Sequence, residues 1–119
     1  MRIILATGDT DLRLAIQLML SEEPGLNIIG SASDSEGFIA LIKSTLPDIA
    51  LVDWDLPGRS IDDLVREVKT IESETNISLI VLGKRSTKEA AVQAGADDYL
   101  VKGDPPDMLL DAFRQLNIF

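Results

Sequence analysis

Residues Pro47-Asp48-Ile49-Ala50-Leu51-Val52-Asp53-Trp54-Asp55-Leu56-Pro57-Gly58 change character twice within one short stretch. Ile49 to Val52 are continuously apolar, as expected of a central parallel strand covered on both faces, where no position alternates toward water. A carboxylate, Asp53, stands directly at the end of that run, and Pro57-Gly58 supplies a turn. Ile61, Leu64, Val65 and Val68 then recur at helical spacing and give one clean apolar face. The stretch therefore reads as a buried strand, a turn carrying acids, and an amphipathic helix.

The same unit repeats on either side. Ile3-Ile4-Leu5-Ala6 is a buried-strand run, and Leu12, Ala15, Ile16, Met19 and Leu20 follow as a helix stripe after an Asp9 or Thr10 cap. Leu26 to Ala32 mixes apolar and polar residues as an edge strand does, and Phe38, Leu41 and Ile42 mark a second helix that ends near Pro47. Ile77 to Leu82 is a further strand, followed by an alanine-based helix around Ala90, Ala91 and Ala94 that stops at Gly95. Tyr99-Leu100-Val101 is a short last strand. Leu109, Ala112, Phe113 and Leu116 form the stripe of a last helix opened by Pro105-Pro106. Right-handed crossovers between such units build an α/β fold, an open five-stranded parallel sheet with helices on both faces and expected strand order 2-1-3-4-5. In such sheets functional groups collect outside the carboxyl ends of the strands, beside the switch point between strands 1 and 3. Thr7 to Asp11, Asp53 to Arg59, Gly83 to Lys88 and Lys102 to Asp104 are the segments that fall there.

Composition narrows the chemistry. The chain has 119 residues, one domain's worth, with 20 acidic and 11 basic side chains and a net charge of −9. It contains no cysteine and no histidine, which excludes the usual structural zinc sites, thiol catalysis and histidine-based acid–base schemes. Carboxylates and a few lysines must carry any chemistry. The acidic balance opposes the phosphate-neutralising footprint of a nucleic-acid binder. No apolar run approaches the roughly 18 residues of a membrane span, so a soluble, cytoplasmic protein is expected.

Two strand ends carry a more specific signal. Asp53 closes the central strand, and Ala94-Gly95-Ala96-Asp97-Asp98-Tyr99-Leu100-Val101-Lys102 places an ammonium at the end of the last one. These segments, and the order of elements across essentially the whole chain, resemble the response-regulator receiver domain of two-component signalling, in particular receivers of helix-turn-helix transcription regulators. The resemblance implies a flavodoxin-like (βα)5 sandwich spanning residues 1–119 and a non-enzymatic module in phosphorelay signal transduction. It makes Asp53 the phosphoacceptor, Lys102 the phosphoryl contact and Tyr99 the aromatic whose rotation reports activation. The partners it implies are a histidine kinase or another signalling protein, with dimerisation or output through helix 4, strand 5 and helix 5, roughly Ser86 to Leu116. No output domain follows in this chain, which is either a stand-alone regulator or a fragment.

The pocket departs from the family's pattern. Receivers carry two acids directly after strand 1, where this sequence reads Thr7-Gly8; they carry Thr or Ser at the end of strand 4, where it reads Gly83; and Gly103 stands for a common proline. Phosphoryl transfer to an aspartate depends on cationic charge, ordinarily a divalent metal, to bring anionic groups together. Asp53 and Asp55 make an incomplete set for Mg²⁺ unless a third acid arrives. Asp9 and Asp11 are the candidates; Gly8 gives the backbone latitude to swing Asp9 inward, but Asp9 and Thr10 serve equally as helix caps. The favoured reading is an atypical receiver acting through protein contacts; the alternative is a phosphorylatable receiver with Asp9 rebuilding the site.

Other features read two ways. Lys84, Arg85 and Lys88 either form a solvated face or supply a cation in place of the metal. Trp54 is a rim contact for a partner or a half-exposed packing residue, and Tyr99 a switch or an edge-strand aromatic. Asp97 and Asp98, with Asp104, Asp107 and Asp111, suggest a basic partner. A flavodoxin-like cofactor binder has Thr7-Gly8-Asp9-Thr10 in its favour, but Asp9 and Asp11 would repel a phosphate. A small enzyme using Asp53 and Lys102 as acid and base is set against an ordinary salt bridge.

Overall fold

The computed structural model describes residues 1–72, 76–104 and 108–111. Its elements alternate without exception: β1 (Arg2–Ala6), α1 (Thr10–Ser21), β2 (Asn27–Ala32), α2 (Ser35–Thr45), β3 (Ile49–Asp53), α3 (Ile61–Glu72), β4 (Ser78–Gly83), a 3-10 turn (Arg85–Thr87), α4 (Lys88–Ala94) and β5 (Asp98–Val101). Residues 108–111 are helical. All strand pairs are parallel and the order is β2-β1-β3-β4-β5, the topology expected from the chain pattern.

Alternate residues of each strand feed two separate cores, one on each face of the sheet. Ile4, Ala6, Ala50, Val52, Leu79 and Val81 meet Phe38 and Ile42 of α2, Ile61, Leu64, Val65 and Val68 of α3, and Ala91 of α4. Ile3, Leu5, Ile49, Leu51, Ile80, Leu82 and Leu100 meet Ile16 and Leu20 of α1 and Leu109. This explains why β1, β3 and β4 read as unbroken apolar runs and β2 does not: β2 is an edge strand, and its burial alternates. Of the expected last-helix stripe, Leu109 is buried. Ala112, Phe113 and Leu116, with the opening Pro105-Pro106 and the acid Asp107, lie outside the described residues.

Boundaries move by a residue or so. β2 starts at Asn27, because Leu26 turns into the core beneath α1, and β4 runs Ser78–Gly83, one residue later than the apolar run. β3 extends through Asp53, which pairs in register with Leu82 and is thereby fixed by the sheet itself. α4 ends, as its sequence predicts, on Gly95 in the left-handed region at φ 116°. α2 ends on Leu46, a non-glycine residue at φ 46°.

Candidate functional site

The carboxyl ends of β1, β3 and β5 bring Thr7, Asp53 and Lys102 together. The register pairs Ala6 with Val52, so the next residue of each strand, Thr7 and Asp53, must be neighbours. Asp53 is 2% exposed and Thr7 fully buried. Both oxygens of the aspartate are taken by the chain. The Thr7 hydroxyl donates to Oδ2 at 2.6 Å. Oδ1 receives the Lys102 ammonium at 2.6 Å and the backbone N–H of Asp55 at 3.0 Å. Lys102 Nζ also lies 3.6 Å from Asp55 Oδ2, so one cation bridges the two carboxylates. Burial lowers the Lys102 pKa, but the hydrogen bond and charge of Asp53, with the charge of Asp55, outweigh it and leave the ammonium raised above its ordinary value. A buried carboxylate is tolerated only when paired and hydrogen-bonded, and this one is.

Thr7 is fixed in turn. Its hydroxyl oxygen accepts the Asp9 N–H at 3.0 Å, and its carbonyl accepts Arg13 Nη2 at 2.7 Å. Asp9 is the N-cap of α1, with Oδ1 accepting the N–H groups of Asp11 at 3.0 Å and Leu12 at 3.1 Å. Of its two readings, the structure shows the helix cap. Gly8 is tightly placed as well: a Cβ there would lie 3.1 Å and 3.2 Å from the Pro57 ring, which would have to give by a few tenths of an ångström. Among the described residues no three His, Cys, Asp or Glu side chains converge on one point. A divalent cation does not fit this donor set, because Lys102 already bridges Asp53 and Asp55 and a hydroxyl stands where a third carboxylate is needed.

The other candidates are dispersed. Tyr99 is buried, with its hydroxyl on the Thr87 hydroxyl and the Lys84 carbonyl beside Gly83. Trp54 is half-buried and packs on the core edge, and its backbone N–H donates to the Leu82 carbonyl at 2.7 Å. Lys84, Arg85 and Lys88 are exposed, and the cation on Asp53 is Lys102; Arg85 instead lies 3.9 Å from Asp104. Asp97 belongs to the frame, since Oδ2 accepts the Leu79 N–H at 2.7 Å and Oδ1 faces Lys69 at 3.4 Å. Asp98 accepts the N–H of its neighbour Tyr99. Sequence reasoning missed Thr7 and Thr87 as hydrogen-bonding partners. Thr7 was recoverable from strand register, being the residue beside Asp53.

The family model for the response regulator receiver domain matches residues 3–114. The chain is 32% identical over 116 residues to the nitrate/nitrite response regulator protein NarL of Escherichia coli K12, covering 95% of this chain and 53% of that protein. It is 31% identical over 117 residues to the response regulator GacA of Pseudomonas aeruginosa, covering 95% and 54%. The chain thus spans about half the length of the curated relatives it matches. Among solved structures, the receiver domain of the response regulator NarL from Mycobacterium tuberculosis superposes with a TM-score of 0.86 at 24% identity, over 97% of this chain and 94% of that one. The isolated receiver domain of RcsB from Salmonella enterica, with a phosphomimetic, gives 0.87 at 20% identity, over 98% and 88%. These likenesses establish the flavodoxin-like (βα)5 fold.

Proposed function

The chain belongs to the response-regulator receiver family, the phosphorelay modules of two-component signalling, and from that premise we propose that it is an atypical receiver, working through protein contacts without a phosphorylation event at Asp53. The observation that carries this reading is the set of groups around Asp53: Lys102 bridges Asp53 and Asp55 where a divalent cation would sit, and the Thr7 hydroxyl stands in place of a third carboxylate.

Asp53 Oδ2 accepts a single hydrogen bond and keeps a lone pair, but attack on a phosphodonor also requires a cation that holds the incoming anion in line. Here the nucleophile's charge is already compensated by Lys102, and the donor set leaves no place for a metal to bring a phosphoryl group in. The Thr7 and Lys102 contacts to Asp53 hold the carboxyl ends of β1, β3 and β5 together. In this reading Asp53 works as a structural counter-ion, and the carboxyl edge of the sheet stays in one arrangement. The chain's partners are then other signalling proteins, met through its surface, in the cytoplasm where two-component regulators work.

The experiment is a fluorescence titration. Trp54 is the only tryptophan, and it adjoins Asp53. Emission is expected to remain unchanged through millimolar Mg²⁺ and on subsequent addition of beryllofluoride, a mimic of the aspartyl phosphate. A saturable change that disappears in Asp53→Asn would overturn the proposal and favour the alternative, in which Asp9 leaves its helix cap to complete a metal site.

A further inference from the structure

The end of β4 carries no side chain, and the vacancy is filled from the neighbouring strand. Val81 pairs with Tyr99 and Gly83 with Val101, so Tyr99 lies two residues below Gly83 on the same face of the sheet, and its ring reaches up toward the strand end. Its hydroxyl meets the Thr87 hydroxyl and the Lys84 carbonyl. The Thr87 hydroxyl also meets that carbonyl, at 2.9 Å. Three oxygens thus form a triangle served by two hydroxyl protons, with the Lys84 carbonyl as the acceptor available to either hydroxyl.

The triangle depends on Gly83 for space, not for backbone freedom. A Cβ placed on Gly83 would overlap the Tyr99 hydroxyl and lie 2.9 Å from both Thr87 Oγ1 and Trp54 Cβ. A residue with a hydroxyl at position 83 and an inward Tyr99 hydroxyl therefore exclude one another in this backbone. Thr87, one turn further along in the 3-10 segment, supplies the hydroxyl from the far side of the vacancy.

We infer that Thr87 is the positioning residue for Tyr99, holding the phenol in the space over Gly83 so that the corner from Lys84 to Lys88 and strand β5 keep one arrangement. The Gly83 vacancy and the Thr87 hydroxyl act together. Removing the hydroxyl leaves a buried phenol with a partner lost, and adding a side chain at position 83 takes its space. This inference does not depend on the state of Asp53, and its test uses neither metal nor phosphate analogue, so it can fail or succeed separately from the proposal above.

Tyr99 is the only tyrosine. Tyrosine labelled with ¹³C at the ε ring positions therefore reports one side chain, in the full chain and without altering its size. The native protein is expected to give one set of ε cross-peaks from a single ring position. Thr87→Val, isosteric but without the hydroxyl, is expected to shift those peaks by more than a linewidth or add a second set, Thr87→Ser to restore the native spectrum, and Gly83→Ser to displace the ring. Circular dichroism identifies the folded variants. Two ring environments in the native chain, or a folded Thr87→Val whose ε peaks superimpose on the native ones, overturn the inference. Should Thr87→Val not fold, Gly83→Ala decides: unmoved ε peaks with a methyl group in the vacancy overturn it equally.

Discussion

Lys102 is held between two carboxylates, and the sign of its pKa shift fixes how that pairing depends on pH. Burial disfavours the ammonium, Asp53 and Asp55 favour it, and the net effect is a raised pKa in the folded chain. A group whose folded pKa exceeds its unfolded one contributes stability that is fully present below the unfolded value, about 10.4 for lysine, and lost as pH rises through the folded value. Urea unfolding of the native chain against the Asp53→Asn, Lys102→Gln double variant measures this. The stability difference between the two should be constant across neutral and mildly alkaline pH and change only above about pH 10.4. A difference that instead collapses near neutrality would mean that Lys102 is not ionised against Asp53. Thr7 explains why the carboxylate tolerates its burial. Its hydroxyl and the ammonium arrive from opposite ends of the chain, and neither alone would satisfy both oxygens.

Helix ends decide which side chains are available to the site. Asp9 is committed to the first turn of α1, where its carboxylate satisfies two backbone donors that would otherwise lack partners. At the other end of the first crossover pair, α2 closes on Leu46 in the left-handed region, where a Cβ costs about 1 kcal/mol. Leu46 is 46% exposed, so little packing is lost by replacing it. Leu46→Asn, which tolerates that conformation, is expected to stabilise the chain by about 0.5 kcal/mol, read as a higher urea midpoint at unchanged slope. A lower midpoint would show that the leucine side chain contributes more than the conformation costs. The elements themselves were legible because apolar period records which faces are covered. Ile49–Val52 announces a strand buried on both sides, and Ile61, Leu64, Val65 and Val68 announce one helix face. Hydrogen-bond partners leave no such period. Thr7 meets Asp53 across 46 residues and Thr87 meets Tyr99 across 12, so neither pairing follows from local pattern. Asp97 reads as surface charge in the sequence, yet it ties the start of β4 to α3.

Across the molecule, one sheet separates two cores and carries Thr7, Asp53 and Lys102 at its carboxyl edge. That placement follows from topology alone and was readable from the order of elements. Chemistry at the edge follows from which residues stand there. At Thr7, Gly8 and Gly83 stand a hydroxyl bonded to Asp53, a proline ring against the glycine, and the Tyr99 phenol. No helix among the described residues is long and apolar enough to cross a membrane. The net charge of −9 gives the surface an acidic field. The account's central claim, that Asp53 is not phosphorylated because Lys102 and Thr7 stand where a metal site would be, is tested most directly by intact-mass spectrometry after incubation with acetyl phosphate and Mg²⁺. The account predicts no phosphoryl adduct on the native chain, indistinguishable from Asp53→Asn. An adduct that forms on the native chain and is absent from that variant would contradict it.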